Sequence, residues 1–301
     1  MNPSHSPLPF YYFYPIFLFL CGAIALYNPK KIRGILGNLR PLRAGILGAV
    51  VLLGGITVAI EGRRVHHLNL LYAITACLLI WEASVMWNDI YDQAIDRKTN
   101  PKRPLVTGTV SPADYHLGAV LMTCSALSFA AVVNGPVFIL VLVCAFLAWA
   151  YSAPPLRFRQ NLMGYIVIGV SMALSFISGK FAASYEPDFP GLNMWKFLIW
   201  VFLYGTAIPI AKDLKDIEGD KAEKVSNLFT ALGKSRAKKV FALLFFTVQC
   251  ATLLIAPQFW LPIIAAAVIS TVIYFKTESL AFVYCTAFLS GAFLFFLYFK
   301  P

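Results

Sequence analysis

Long apolar runs alternate with short polar segments along almost the whole chain. The runs lie at roughly 10–27, 44–60, 67–91, 114–133, 136–151, 161–182, 194–214, 237–256, 259–276 and 279–299. A helix that crosses a bilayer needs about 20 residues, within a range of ~17–25. Most of the runs reach that length, and 136–151 is the shortest. Apolar residues are continuous within each run and do not alternate with polar ones, which argues against a transmembrane β-barrel. The pattern predicts an all-α fold, a multi-span transmembrane helical bundle of about nine or ten helices in one membrane domain. The segment before the first run contains no Lys or Arg, and no small-residue cleavage site follows it, so 10–27 reads as a retained helix and not as a signal peptide.

Composition supports the membrane assignment. Hydrophobic residues make up 59% of the 301 positions and charged residues 13%, against about 25% charged in soluble domains. The net charge of +11 raises the question of a nucleic-acid partner. Its distribution answers that question. The loops at 28–43, 92–113, 152–160, 212–236 and 277–278, with their flanks, hold 20 of the 25 Lys and Arg. Basic residues concentrated in alternate loops are what the positive-inside rule produces. That face is expected to be cytoplasmic, with both termini opposite. The excess serves topology and an anionic ligand at that face, and no nucleic acid is expected. The six cysteines are scattered through apolar runs without metal-ligand spacing and read as small packing residues. Nothing in the pattern sets an oligomeric state.

Two acidic clusters break the apolar pattern. The first closes the run 67–91 and reads Asn88-Asp89-Ile90-Tyr91-Asp92-Gln93-Ala94-Ile95-Asp96-Arg97. On a helix, Asn88, Asp92 and Asp96 fall at about 0°, 40° and 80° and form one stripe. Asp89 falls at about 100° and is not excluded by the wheel. The second cluster closes the run 194–214 and reads Lys212-Asp213-Leu214-Lys215-Asp216-Ile217-Glu218-Gly219-Asp220-Lys221. There Asp213, Asp216 and Asp220 fall at about 0°, −60° and −20°, again one stripe, provided that the helix continues through Gly219. The run that carries the second cluster is the fourth after that of the first, with three between them, so the two run in the same direction and both clusters emerge on the basic face. Each stripe sits at a helix C-terminus, where the macrodipole already places about half a negative charge. Stacked carboxylates raise one another's pKa. Such a site needs a cation, and an oxygen-only ligand set selects a hard one, Mg2+ first. Ionisable residues this close to membrane helices mark functional sites.

A multiply charged anion shared with magnesium would need further cations. Arg103 lies after the first cluster, and Tyr151, Arg157 and Arg159 follow the run 136–151; rigid proline turns adjoin these arginines. Arg grips phosphate oxygens bidentately. Lys98, Lys102 and most lysines of 221–239 read as topological anchors. Glu82, within a run, is a weaker candidate for a buried hydrogen-bonding group. Some of the 25 Phe, 14 Tyr and 6 Trp are available to line an apolar groove and shield a carbocation.

The first cluster resembles the NDxxDxxxDR motif of UbiA-superfamily prenyltransferases, and Lys102-Arg103-Pro104-Leu105 followed by Gly108 resembles the turn after it. Asp216 to Asp220 is similar to the second DxxxD motif. The wider phrase Lys212 to Lys221 looks like the form seen in homogentisate and geranylgeranylglyceryl-phosphate prenyltransferases. The resemblance covers roughly residue 42 onward, leaving 1–41 as an N-terminal extension with one extra helix and 42–301 as the prenyltransferase domain. It implies a magnesium-dependent transfer of an isoprenoid chain from a prenyl diphosphate to an aromatic or other lipophilic acceptor. Asn88, Asp92, Asp96, Asp213, Asp216 and Asp220 would hold Mg2+, with Asp92, Asp96, Asp216 and Asp220 catalytic. Arg103, Tyr151, Arg157, Arg159 and Lys212 would bind the diphosphate. A lipid-exposed opening would release the product sideways into the membrane lipids. A terpene cyclase of the same family would ionise the same diphosphate without an acceptor. A transporter fits the two-halves pattern less well, because transporter sites sit near the bilayer midplane and these carboxylates sit at one surface.

Overall fold

The computed structural model describes residues 20–21, 28–185, 192–222 and 224–298. The run at 10–27 lies outside the described residues apart from Leu20 and Cys21. Helix α1 spans Pro29–Gly37, α2 Pro41–Ile60, α3 His67–Tyr91, α4 Gln93–Thr99, α5 Pro112–Val133 and α6 Gly135–Ser152. They are followed by α7 Met163–Ala183, α8 Leu192–Ala222, α9 Leu228–Leu232, α10 Lys234–Cys250, α11 Trp260–Thr277 and α12 Leu280–Tyr298. Among the described residues nine helices are long and apolar enough to cross a membrane, and the chain is an integral, multi-pass membrane protein.

Local chemistry sets the helix starts. Pro41 and Pro112 occupy the first turns of α2 and α5, where a missing N–H costs nothing. Ser111 and Asp114 form a capping box on α5. Asn134 accepts from Val137 N at 2.9 Å to cap α6, and its amide donates to Phe181 O of α7 at 3.1 Å. That one side chain turns the α5–α6 hairpin and ties it to its neighbour.

The buried side chains form two large clusters. One gathers α2, α3, α5 and α6 around Val51, Ala73, Ala126 and Val141. The other gathers α8, α10, α11 and α12 around Phe197, Trp200, Phe241 and Tyr274. Helix α7 contributes to both, through Ala182 on one side and Phe176 on the other.

Several boundaries differ from the sequence pattern. The segment 28–43, read as a loop, contains α1, because its apolar residues Ile32, Ile35 and Leu36 share one helical edge. The first acidic stripe is not one continuous helix. The chain breaks at Asp92 and resumes as α4, although the amides of Asp92 and Asp96 still bond the carbonyls four residues back at 2.9 Å each. The run at 237–256 ends as α10 at Cys250 and tightens into a 3-10 turn over Ala251–Leu254, ahead of Pro257.

At the face opposite the acidic clusters, Lys180 is buried and ion-pairs with Glu61, which is about one-third exposed. Removing one partner strands the other's charge. Glu61→Ala is expected to cost roughly 2 kcal/mol, less than a fully buried pair because Glu61 is partly wet. Lys180→Met combined with Glu61→Leu should recover most of that loss in a thermal melt. An unchanged melt for Glu61→Ala would contradict the pairing.

Candidate active site

The first acidic motif hangs between α3 and α4, and the second lies on the extension of α8 beyond its membrane segment, through Gly219 to Ala222. Gly219 brings them together. A Cβ added there would lie 3.0 Å from the Thr99 methyl and 3.3 Å from that of Ile95, both on α4. Any side chain there would have to displace those methyls, and a bulky one would push the two motif-bearing helices apart. Gly219→Leu should separate them and lower turnover by about 10²-fold, the cost typical of a 1 Å misplacement. Wild-type rates in this variant would show that the two motifs need not be in register.

Arg159, at the 3-10 turn Phe158–Gln160, sits between the motifs. Its guanidinium ion-pairs with Asp92 and lies 3.7 Å from Asp220 Oδ1. One cation therefore joins the two clusters that the sequence separates by more than a hundred residues. Burial alone would lower the Arg159 pKa, but the fields of Asp92, Tyr151 and Asp220 outweigh it and hold the guanidinium charged. Arg157 lies 3.8 Å from Asp92 and donates to Tyr91 O at 2.8 Å. Asn88 donates to Asp92. Asp92, Asp96 and Asp220 are all buried.

Asp220 accepts from Asn227 Nδ2 at 2.7 Å through one oxygen, while the other oxygen, Oδ1, is buried with no hydrogen-bond partner. Burial, reinforced by Asp213, pushes its pKa up to about 6. Asp96 is likewise raised by burial, against the pull of Arg103. Asp213 accepts from the Tyr165 hydroxyl at 2.6 Å, and Lys212 lies 3.5 Å from Asp216. Among the described residues no three acidic, His or Cys side chains form a ready-made metal cage. Magnesium commonly takes only one or two carboxylates from the protein and the rest from water and phosphate. The donor set fits that mode, because it is all oxygen and includes a buried carboxylate atom, Asp220 Oδ1, that makes no hydrogen bond.

Arg103, expected to meet a ligand, bonds both Asp89 and Asp96. Asp89 is taken out of the stripe: Arg40 donates to it at 3.1 Å and Asn38 also bonds it. Sequence reasoning missed Asn38, Arg40, Tyr165 and Asn227. The two N-terminal residues lie about fifty positions before their partner, where no local spacing could reveal them.

An apolar cavity of about 180 Å³ opens beneath the motifs. Asn88, Tyr151, Lys212 and Asp213 line its polar end, and Cys77, Val141 and Cys144 are among its apolar walls. Pro209, inside α8, faces it and removes a backbone donor there.

Residues 47–299 match the profile of the UbiA prenyltransferase family. The chain is 29% identical over 182 residues to digeranylgeranylglyceryl phosphate synthase of Metallosphaera sedula, covering 59% of this chain and 61% of that one. It is 30% identical over 161 residues to a chloroplastic chlorophyll synthase of Arabidopsis thaliana, covering 50% of this chain and 40% of the relative. The matched region thus spans less than two thirds of each of these relatives. A UbiA homolog from Archaeoglobus fulgidus, solved bound to GPP and Mg2+, has the same fold at a TM-score of 0.66 and 20% identity, over 87% of this chain and 98% of that chain.

Proposed function

Since the chain belongs to the UbiA prenyltransferase family, we propose that it transfers an isoprenoid chain from a prenyl diphosphate to a lipophilic acceptor, at a magnesium-dependent site on the cytoplasmic face. The observation that carries this reading is Arg159 joining Asp92 to Asp220, two motifs whose Asn88, Lys212 and Asp213 line the polar end of an apolar cavity. A charged mouth over a carbon-lined pocket suits a molecule with a polyanionic head and an apolar tail.

Asn88, Asp92 and Asp96 on one side, and Asp213, Asp216 and Asp220 on the other, would hold Mg2+, which when bound supplies charge neutralisation for a diphosphate. Arg157, Arg159 and Lys212 take diphosphate oxygens, and Tyr151 lines the same wall. These cations are fixed before the reaction begins, so they stabilise the leaving charge without reorganising. Arg103, Asn38 and Arg40 act through Asp89 to hold the first motif in place. The allylic C–O bond breaks, the electron pair leaves with the diphosphate, and an electron-rich acceptor atom bonds to the carbon and gives up a proton. The mainly apolar lining offers water few partners beside the allylic carbon, which water would otherwise capture.

The test is to incubate purified protein with geranyl, farnesyl or geranylgeranyl diphosphate, magnesium and a panel of phenolic, aromatic-acid and glyceryl-phosphate acceptors. Magnesium-dependent diphosphate release coupled to prenylated product is expected. Release without acceptor would point to a cyclase, and no release with any combination would sink the reading. Because Asp220 titrates near 6, a proton competes with the metal below that pH. The magnesium concentration for half-maximal turnover should rise about tenfold one unit below pH 6 and be flat above it.

A further inference from the structure

One side of helix α1 is fastened to the first motif. Ile35 packs on a small core cluster that joins Met86 of α3 to Leu105 and Val110 of the loop after the motif. Gly34 lies flat against that loop: a Cβ there would meet the Val110 side chain at 3.0 Å and that of Thr109 at 3.2 Å. Lys31 pairs at 2.9 Å with Asp114, a member of the capping box on α5. Just beyond the helix, Asn38 and Arg40 bond Asp89.

The other side of α1 is bare. It carries Lys30, Arg33 and Leu36, all exposed, within about 120° of one another on the wheel. Among the described residues no carboxylate pairs with Lys30 or Arg33. Leu36 is 58% exposed, and the exposed Leu39 and Leu42 follow where the chain enters α2, a candidate membrane span that starts at Pro41. Three residues separate α1 from that span, so α1 stands at the depth of the lipid headgroups. Cations set beside exposed aliphatic side chains at the end of a span have the chemistry of an interfacial segment. The carbon enters the acyl boundary, and the cations meet phosphate.

We infer that α1 docks on anionic phospholipid and that this contact sets how firmly the first motif is held. Lys30 and Arg33 take headgroup phosphates, and Leu36 enters the acyl layer. The opposite side of the same helix then steadies Asp89 through Asn38 and Arg40. A soluble acidic partner would match the cations and leave the leucines in water, so a bilayer is the better fit. The effect on turnover rests on the prenyl-transfer reading above; the lipid contact does not. A general effect of membrane charge has the opposite sign. An anionic surface repels a diphosphate and raises its KM, whereas seating α1 raises kcat.

The test places the full chain in nanodiscs of phosphatidylcholine, alone or mixed with phosphatidylglycerol, with a photoreactive phenylalanine derivative replacing Leu36. Phosphatidylglycerol should be captured at least about tenfold above its share of the lipid, because each cation near the surface favours anionic lipid by about fivefold. Lys30→Gln with Arg33→Gln should bring capture down to that share. With Leu36 intact and magnesium saturating, phosphatidylglycerol should raise kcat for diphosphate release by at least about threefold. The double variant should lose that gain and keep any rise in KM. Arg236→Gln with Lys239→Gln removes two exposed cations from α10, in the other half of the bundle, and should change neither capture nor the gain in kcat. Capture in proportion to lipid composition, or selective capture that survives Lys30→Gln with Arg33→Gln, would overturn the inference. So would selective capture with equal kcat in both lipids, or a gain in kcat lost equally in the α10 control. Selective capture with no diphosphate release in any lipid would instead defeat the transfer reading and leave the lipid contact standing.

Discussion

Asp92→Ala is expected to reduce prenyl-diphosphate turnover by at least about 10³-fold while leaving the protein folded in the membrane. Asp92 meets three groups of the site: Asn88 donates to it, Arg159 pairs with it and Arg157 lies 3.8 Å away. Its loss removes a metal oxygen and frees Arg159 to swing toward Asp220 alone. The bundle core does not depend on it, since the large apolar clusters contain no residue of the motif. Stability in detergent should therefore change little, and a melt separates the two effects. Asp216→Ala should be comparably inactive from the other side of the site. A double variant, Asp92→Ala with Asp216→Ala, that still released diphosphate would refute the metal assignment outright. Substitution at Asp89 should behave differently. Asp89 is held by Asn38, Arg40 and Arg103, so Asp89→Asn should lower activity less and lower the melting temperature more.

The contrast between Asp89 and Asp92 also marks where a sequence stops being informative. The helical wheel put Asp89 only about 20° from Asp96 and could not separate their roles. What separates them is a pair of residues from the N-terminal segment, and contacts across fifty positions leave no local trace. The spans within the described residues and the shared face of the two clusters were legible, because bilayer thickness acts on every stretch of chain independently. The break at Asp92 was not legible, since the four-residue backbone bonds persist across it and no Gly or Pro marks it. Arg103 was legible as a site residue by its setting, whereas its two carboxylate partners, Asp89 and Asp96, were not. An arginine beside a proline turn looks the same whether it awaits a phosphate or already grips two carboxylates.

The second large effect lies away from the chemistry, where α2 crosses α7. A Cβ on Gly54 would sit 1.9 Å from the carbonyl oxygen of Phe176, and one on Gly179 would sit 1.9 Å from that of Val51. Both obstacles are backbone atoms within helices, so neither can rotate away. Carbon–oxygen contacts settle at about 3.3–3.6 Å, so either alanine must push the two helices more than an ångström apart. Small residues at such crossings let membrane helices pack by direct backbone contact, where lipid offers no hydrophobic drive to hold them together. Overpacking ordinarily costs about 1–3 kcal/mol, and Gly54→Ala and Gly179→Ala should each reach or exceed the top of that range. The consequence reaches the site, because α2 carries Arg43 and Leu47 and α7 carries Ser171 and Ser175, facing parts of one cavity wall. Both variants should therefore melt earlier and lose activity together. Gly45 is the control on the same helix. Nothing lies within 4 Å of a Cβ built there, so Gly45→Ala should be neutral or stabilise by up to ~1 kcal/mol through helix propensity. If Gly54→Ala melted like Gly45→Ala, the close crossing of α2 and α7 would be wrong, and with it the shape of the cavity beneath the motifs.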